Sequence, residues 1–251
     1  MTQPSSPAGT GSSPDARSLA DARAWVAAGE DLCRTAIQGF DESDWAAPSG
    51  LPGWTRKHLG AHLAANADAV GNLIHWAATG EQTPMYSSPE QRNADIEAGA
   101  GKPGEALAAW FDRSAGALEN AMDALTDEQW THEVVTAQGR TVPASETPWM
   151  RARETCVHAV DLATGVTFSD LPAGFLAALA ADIAAKRSAG AGPALVVTAT
   201  DAGRSWTVAG DGNPVEVRGP LADVTAYLAG RDHAPLIGAT GEPSPTIGPW
   251  L

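Results

Sequence analysis

Four long segments of this chain carry apolar side chains at three- and four-residue spacing, which commits much of its length to packed amphipathic helices. Leu19, Ala22, Trp25, Val26, Gly29, Leu32, Ala36, Ile37 and Phe40 mark the first. Thr55 is placed to cap a second that runs through Leu59, His62, Leu63, Asn66, Val70, Leu73 and Ile74 towards Gly80. Leu107, Trp110, Phe111, Ser114, Leu118, Met122 and Leu125 mark the third, and Thr147-Pro148 opens the fourth, which Gly165 closes. The stretch from Asp41 to Gly53 holds Pro48, Gly50, Pro52 and Gly53 and reads as a loop. Ser88-Pro89 starts a short, weakly apolar helix that belongs to a connection, Thr126 with Gln129 offers a capping box, and residues 134–144 form a hairpin around Gln138-Gly139. Four long helices with such connections make a bundle.

Beyond Asp170 one more helix presents Leu171, Phe175, Leu176, Leu179 and Ile183, and then the character of the chain changes. Residues 194–199, 205–208 and 215–218 are short runs rich in β-branched side chains, separated by Asp201-Ala202-Gly203 and Gly210-Asp211-Gly212-Asn213. They predict an antiparallel meander. Gly219-Pro220 starts a last helix that Gly230 stops, and the residues after it are rich in Pro and Gly. The expected fold class is therefore α+β, with a four-helix bundle over 17–166 and a small C-terminal α+β domain over 167–251 carrying an antiparallel sheet. The boundary falls near Gly165 to Pro172. Residues 1–16 have almost no large apolar side chain and are expected to be a disordered tail.

Sixteen Lys and Arg against thirty Asp and Glu give a formal net charge of −14, which repels nucleic acid and anionic membranes. No membrane span or secretion signal is readable, so the expected location is the cytoplasm and the expected partners are small molecules. Cys33 and Cys156 are the only cysteines and fit no CxxC spacing, so a bound metal would need nitrogen and oxygen ligands.

Such ligands are available. Glu154 and His158 stand four residues apart, on one face of the fourth helix. Read blandly they are a surface ion pair, but Thr155, Cys156, Val157, Ala159, Val160 and Leu162 make the helix too apolar to be wholly solvated. Cys156 lies about 200° around the helix from Glu154 and points away from that face. His62 falls on the apolar stripe of the second helix, either as a core histidine bonded to a carbonyl or as a ligand facing the same interior. His62, Glu154 and His158 together form a two-His, one-carboxylate set suited to zinc with an open position or to ferrous iron. His58 is a candidate supporting group, Arg151 shares the Glu154 face and could orient that carboxylate, and Asp161 is either a partner of His158 or a surface charge. His75 and His132 read as surface or core residues, and no GxGxxG, P-loop, HExxH or GxSxG occurs.

Leu51-Pro52-Gly53-Trp54-Thr55 leading into His58-Leu59-Gly60-Ala61-His62-Leu63-Ala64 resembles the N-terminal signature of the mycothiol-dependent maleylpyruvate isomerase family, which is related to the DinB helical bundle. Pro148-Trp149-Met150-Arg151, followed by Arg153-Glu154 and Val157-His158-Ala159-Val160-Asp161-Leu162, is similar to the segment bearing that family's Glu and second His. Pro220-Leu221-Ala222-Asp223 with Tyr227-Leu228-Ala229-Gly230-Arg231 is similar to its last helix. The resemblance extends over essentially everything after the tail. It implies zinc held by His62, Glu154 and His158, mycothiol as thiol cosubstrate, and conversion of maleylpyruvate to fumarylpyruvate in gentisate breakdown; separately from the resemblance, the chain is expected to be a monomer. The resemblance also implies that Arg231, at the domain interface, pairs with a substrate carboxylate; the bland reading is a favourable charge at a helix C-terminus. The rival expectations are a mycothiol S-transferase acting on another electrophile and a non-catalytic, metal-stabilised binding protein.

Overall fold

A computed structural model describes residues 17–238 and 241–250; the expected tail at 1–16 lies outside them. The chain forms two compact units, Leu19–Leu176 with Asp232–Ala234, and Ala177–Arg231 with residues 235–238 and 241–250. The first is helical. It contains α1 (Leu19–Ile37), α2 (Glu42–Ala46), α3 (Arg56–Thr79), α4 (Pro89–Ala100), α5 (Gly104–Asp123) and α6 (Thr147–Asp161), with a hairpin of β1 (Glu133–Val135) and β2 (Thr141–Pro143) before α6. The four long helices are α1, α3, α5 and α6, as the apolar spacing requires.

Thirteen of the 24 residues of α3 are buried, which makes it the central helix; it packs on α5, α4 and α6, while α1 packs on α6. Thr55 precedes α3 as its N-cap, and Gly80 ends it in the left-handed conformation that a residue without Cβ adopts freely. Cys33, Leu63, Phe111 and Ala159 bring all four helices into one apolar cluster. The α1–α6 contact is close because Gly29 faces α6. A Cβ there would stand 2.4 Å from Thr155 Oγ1 and 2.8 Å from Cys156 Sγ. Both cysteines are buried in this seam, Cys156 Sγ donating to Trp25 O and Cys33 Sγ to Thr155 O.

Through the middle of the bundle runs a charged network. Arg151 is fully buried; its Nε and Nη2 donate to Glu30 Oε1, each at 3.1 Å, and its Nη1 donates to Leu63 O and Asn66 Oδ1. These bonds run from α6 to α1 and α3. Arg151 therefore ties helices together and does not orient Glu154.

Two stretches of this unit differ from the sequence reading. Within the expected loop 41–53, Asp41 caps the short helix α2 in a reciprocal box with Asp44. This seats the buried Trp45 against Gly60 and Gly104, where a Cβ would lie 2.7 Å and 2.1 Å from the indole. The helix expected from Ser88-Pro89 is present as α4, three turns long with Ile96 and Gly99 buried. Finally, α6 stops at Asp161 rather than Gly165, because Arg56 takes the carbonyls of Leu162 and Ala163 at 2.8 Å each. A cation on the last carbonyls is a favourable helix end.

The helix α7 (Ala173–Ser188) begins in the first unit, where Phe175 packs on Trp25 and Trp149, and continues into the second. That unit holds β3 (Pro193–Ala199), β4 (Arg204–Val208), β5 (Asp211–Gly219) and α8 (Leu221–Ala229). Antiparallel pairing holds for β3 and β4, but β5 joins the other edge of β3 in parallel, giving the order β4-β3-β5 and a mixed sheet rather than a meander. The cause is the connection Ala209-Gly210. It passes under the start of β3 so closely that a Cβ on Gly210 would lie 2.4 Å from Gly192 O, and Asp211 N then bonds that same carbonyl. Pro220 precedes α8 and Gly230 closes it in the left-handed conformation, as the sequence indicates.

Candidate metal centre

His62 enters from α3, and Glu154 and His158 enter from α6 one turn apart. Their donor atoms all lie within 4.8 Å of one another. His62 Nε2 is 2.8 Å and His158 Nε2 3.3 Å from the same oxygen, Glu154 Oε2, and the two rings meet nearly edge to face with centroids 5.1 Å apart. Metal bonds of about 2.0–2.1 Å in a tetrahedral site set neighbouring donors about 3.3 Å apart. The set therefore fits a zinc-sized ion with only a small adjustment, the shorter spacing being that of a hydrogen bond.

The groups around the set fix its orientation. His158 Nδ1 donates to Asp161 Oδ2 at 2.9 Å, and Asp161 is buried, so the reading of Asp161 as a surface charge falls away. A carboxylate holding the far nitrogen leaves Nε2 to face a metal. Trp54 packs edge-on to His62 at 5.7 Å. Burial pushes the His62 imidazole towards neutrality against the pull of Glu154. Burial also opposes charge on His158, but Asp161 and Glu154 outweigh it and raise this imidazole to about 9. For Glu154, burial favours the neutral acid, yet hydrogen bonds to His158 and His62 hold the carboxyl well below its ordinary value. The carboxylate is thus flanked by one imidazole that its surroundings hold towards the charged form and one that burial holds towards neutrality.

His62 and Glu154 line a cleft of about 850 Å³ in the bundle, together with Asn66, Tyr86, Arg92 and Arg153 among others. One face of the set is packed and another is open, the arrangement that leaves a coordination position for a ligand. His58 is elsewhere engaged, its Nδ1 accepting from Thr55 N at the start of α3. His132 bonds Ala77 O and His75 is exposed. Arg231 stands just after Gly230, its Nη1 donating to Ala229 O at the end of α8, in the other compact unit.

Two features escape the sequence. Arg92, on α4, donates its Nη2 to His62 Nδ1 at 3.2 Å, thirty residues away in the chain, and no local pattern announces it. Tyr86 and Asn66 beside it are likewise brought in by folding alone. Asp161 had a signal, its three-residue offset from His158 on a helix.

A bundle that holds a His–Glu–His set beside a cleft, followed in the chain by a small α+β unit, defines a two-part protein whose helical unit carries a candidate metal centre. A family model described as the mycothiol maleylpyruvate isomerase N-terminal domain matches residues 26–163, and one described as the C-terminal domain of the same proteins matches residues 170–244. The chain belongs to the mycothiol-dependent maleylpyruvate isomerase family. Two crystal structures, of a mycothiol-dependent maleylpyruvate isomerase and of a histidine-to-alanine variant, align with TM-scores of 0.86 at 42% and 41% identity, each over 92% of this chain and 97% of theirs. Comparison with curated proteins gave no match. Among the described residues no helix is long and apolar enough to cross a membrane.

Proposed function

We propose that this protein catalyses the mycothiol-dependent cis–trans isomerisation of maleylpyruvate to fumarylpyruvate, with zinc held by His62, Glu154 and His158. The carrying observation is the convergence of these three donors beside an open cleft, in a chain over 40% identical across nearly its whole length to proteins of that activity. Rotation about a double bond conjugated to carbonyls needs temporary loss of its π bond. A thiolate that adds to one alkene carbon, waits for rotation and then leaves restores both itself and the alkene. Zinc, when bound, supplies the Lewis acid that keeps a thiol deprotonated near neutral pH.

The chain's own groups supply the rest. His62, Glu154 and His158 give a nitrogen and oxygen ligand set with no competing protein thiolate, since Cys33 and Cys156 are buried between α1 and α6. Asp161 holds the His158 ring in the orientation that aims Nε2 inward. At about 850 Å³ the cleft stands at the large end of small-molecule sites, which suits a sugar-bearing thiol alongside a small acid. Arg231 as a partner for a substrate carboxylate belongs to the same proposal and rests on the family resemblance.

The test is a paired assay of purified zinc-loaded protein with maleylpyruvate, with and without mycothiol. Fumarylpyruvate should form only with the thiol. A stable mycothiol adduct without fumarylpyruvate would instead identify an S-transferase. Arg231→Ala should keep its zinc and turn over more slowly; unchanged kinetics would leave the arginine as a helix-end charge.

A further inference from the structure

The cleft also holds a phenol. Tyr86, in the connection between α3 and α4, lines it together with Glu154, Asn66 and Arg92. Its ring centroid lies 5.8 Å from Arg92 Cζ, and the side chains of Arg92 and Asn66 both hydrogen-bond to its oxygen. Burial pushes the phenol up, and these two neighbours pull against that, as donors to the oxygen do. Among the described residues no hydrogen bond takes the Tyr86 hydroxyl proton itself.

The direction of these bonds is set from the middle of the bundle. Arginine has five N–H groups and no acceptor, so the Asn66 atom that meets Arg151 Nη1 at 2.9 Å is Oδ1. That leaves Nδ2 of the amide to face Tyr86. Arg151 is itself fully buried and held by two bonds to Glu30 Oε1 and one to Leu63 O, so the amide it anchors does not turn over. Arg92, like Arg151, can only donate. A phenol oxygen that accepts from both keeps its own O–H for a third partner, and the cleft is where that partner can stand.

The proposed isomerisation creates such a partner. When a thiolate adds to one alkene carbon, its electron pair forms the C–S bond and the π pair moves through the conjugated carbonyl onto oxygen, giving an enolate. Rotation follows about what is now a single bond. The enolate pair then rebuilds the alkene, and the C–S pair leaves with sulfur. No proton is gained or lost, but in between the carbonyl oxygen is negatively charged.

We propose that Tyr86 is a catalytic residue of this reaction, its O–H donating to the enolate oxygen and keeping its proton throughout, while Asn66, anchored by Arg151, is the positioning residue that leaves the O–H for the cleft. A donor aimed at an oxygen before charge develops there stabilises the charged state without rearrangement. The proposal rests on the isomerase reading of the cleft and adds to it the group that meets the developing charge.

Tyr86→Phe keeps the ring and removes only the donor. In zinc-loaded protein with mycothiol, KM for maleylpyruvate should stay within about twofold while kcat falls about 100-fold, the cost of losing one oxyanion donor, and zinc content should not change. Asn66→Asp replaces the donor facing Tyr86 by an acceptor that takes the phenol's proton. It should lower kcat by about as much, and adding Tyr86→Phe to it should cost nothing further. Equal kcat in Tyr86→Phe, or losses that multiply in the double variant, would overturn the proposal. A second arm needs no turnover. The unreactive oxyanion 4-nitrophenolate should bind zinc-loaded Tyr86→Phe about tenfold more weakly than the unaltered protein, the worth of one charge-assisted hydrogen bond. Equal affinity, as for an anion held by zinc alone, or no binding by either protein would also overturn it. If the unaltered protein fails to isomerise maleylpyruvate while the probe still distinguishes the two proteins, the functional reading falls and the Tyr86 donor stands.

Discussion

Replacing Arg151 by Met tests what holds the helices around the site. The side chain is fully buried, and Met matches its length without its five donors. The change removes two hydrogen bonds to Glu30 and one each to Leu63 O and Asn66 Oδ1. Among the described residues Glu30 then keeps only Arg34, at 3.6 Å and partly exposed. Breaking a buried pair by deleting one partner costs about 3–5 kcal/mol, because the remaining charge stays desolvated. The expected loss is about 4 kcal/mol, which at about 2–4 °C per kcal/mol lowers the melting temperature by roughly 8–16 °C. Glu30→Gln on top of Arg151→Met removes the stranded charge and should restore about half of that loss. The assay is thermal and urea unfolding followed by helical circular dichroism, in chelator, so that metal binding adds nothing to the folded state. A loss below about 1 kcal/mol for Arg151→Met, or strict additivity across the double-mutant cycle, would refute the reasoning.

Three further outcomes follow from the same geometry. Asp161→Asn keeps the shape but weakens the hold on His158 Nδ1, and zinc affinity measured by chelator competition should fall about 10- to 100-fold with the fold intact; unchanged affinity would remove Asp161 from the site. Gly29→Ala should force α1 and α6 apart, costing about 1–3 kcal/mol and loosening the helix that carries Glu154 and His158; a variant that melts with the unaltered protein would contradict the close approach. Burial pushes the Cys33 thiol up to about 12 from 9.0, and that of Cys156 further. Both should resist alkylation at pH 8 until the protein unfolds. The stability Cys33 contributes is complete below about pH 9 and is lost as pH rises towards 12, because the unfolded thiol ionises first. Rapid labelling of native protein would show that the seam opens.

What could be read from the sequence is what is periodic or local. His62 lies on an apolar stripe, and Glu154 and His158 share one turn, so helical geometry alone brought the three to a common interior. The caps at Thr55, Ser88 and Gly230 and the capping pair Thr126 with Gln129 were legible because each is a few adjacent residues. α2 was hidden because the Pro and Gly of 48–53 outweighed an Asp41 box whose purpose is to seat Trp45 between two distant glycines. The parallel pairing of β5 was hidden because a two-residue connection ordinarily makes a hairpin, and nothing local reveals that Gly210 slips past Gly192. Arg151 shares the helical side of Glu154, yet its partner Glu30 is 121 residues away. Arg92 illustrates the same limit: its helix has too few apolar residues to predict where it docks, and docking is what brings the guanidinium to His62.

X-ray absorption at the zinc edge, recorded on zinc-loaded protein before and after mycothiol is added, tests the central claim most directly. The account predicts a shell of nitrogen and oxygen alone at about 2.0–2.1 Å without the thiol, lost in His62→Ala, and a new sulfur at about 2.3 Å once mycothiol is present. Sulfur in the thiol-free spectrum, zinc that survives His62→Ala unchanged, or catalytically competent protein in which mycothiol brings no sulfur to the metal would contradict it.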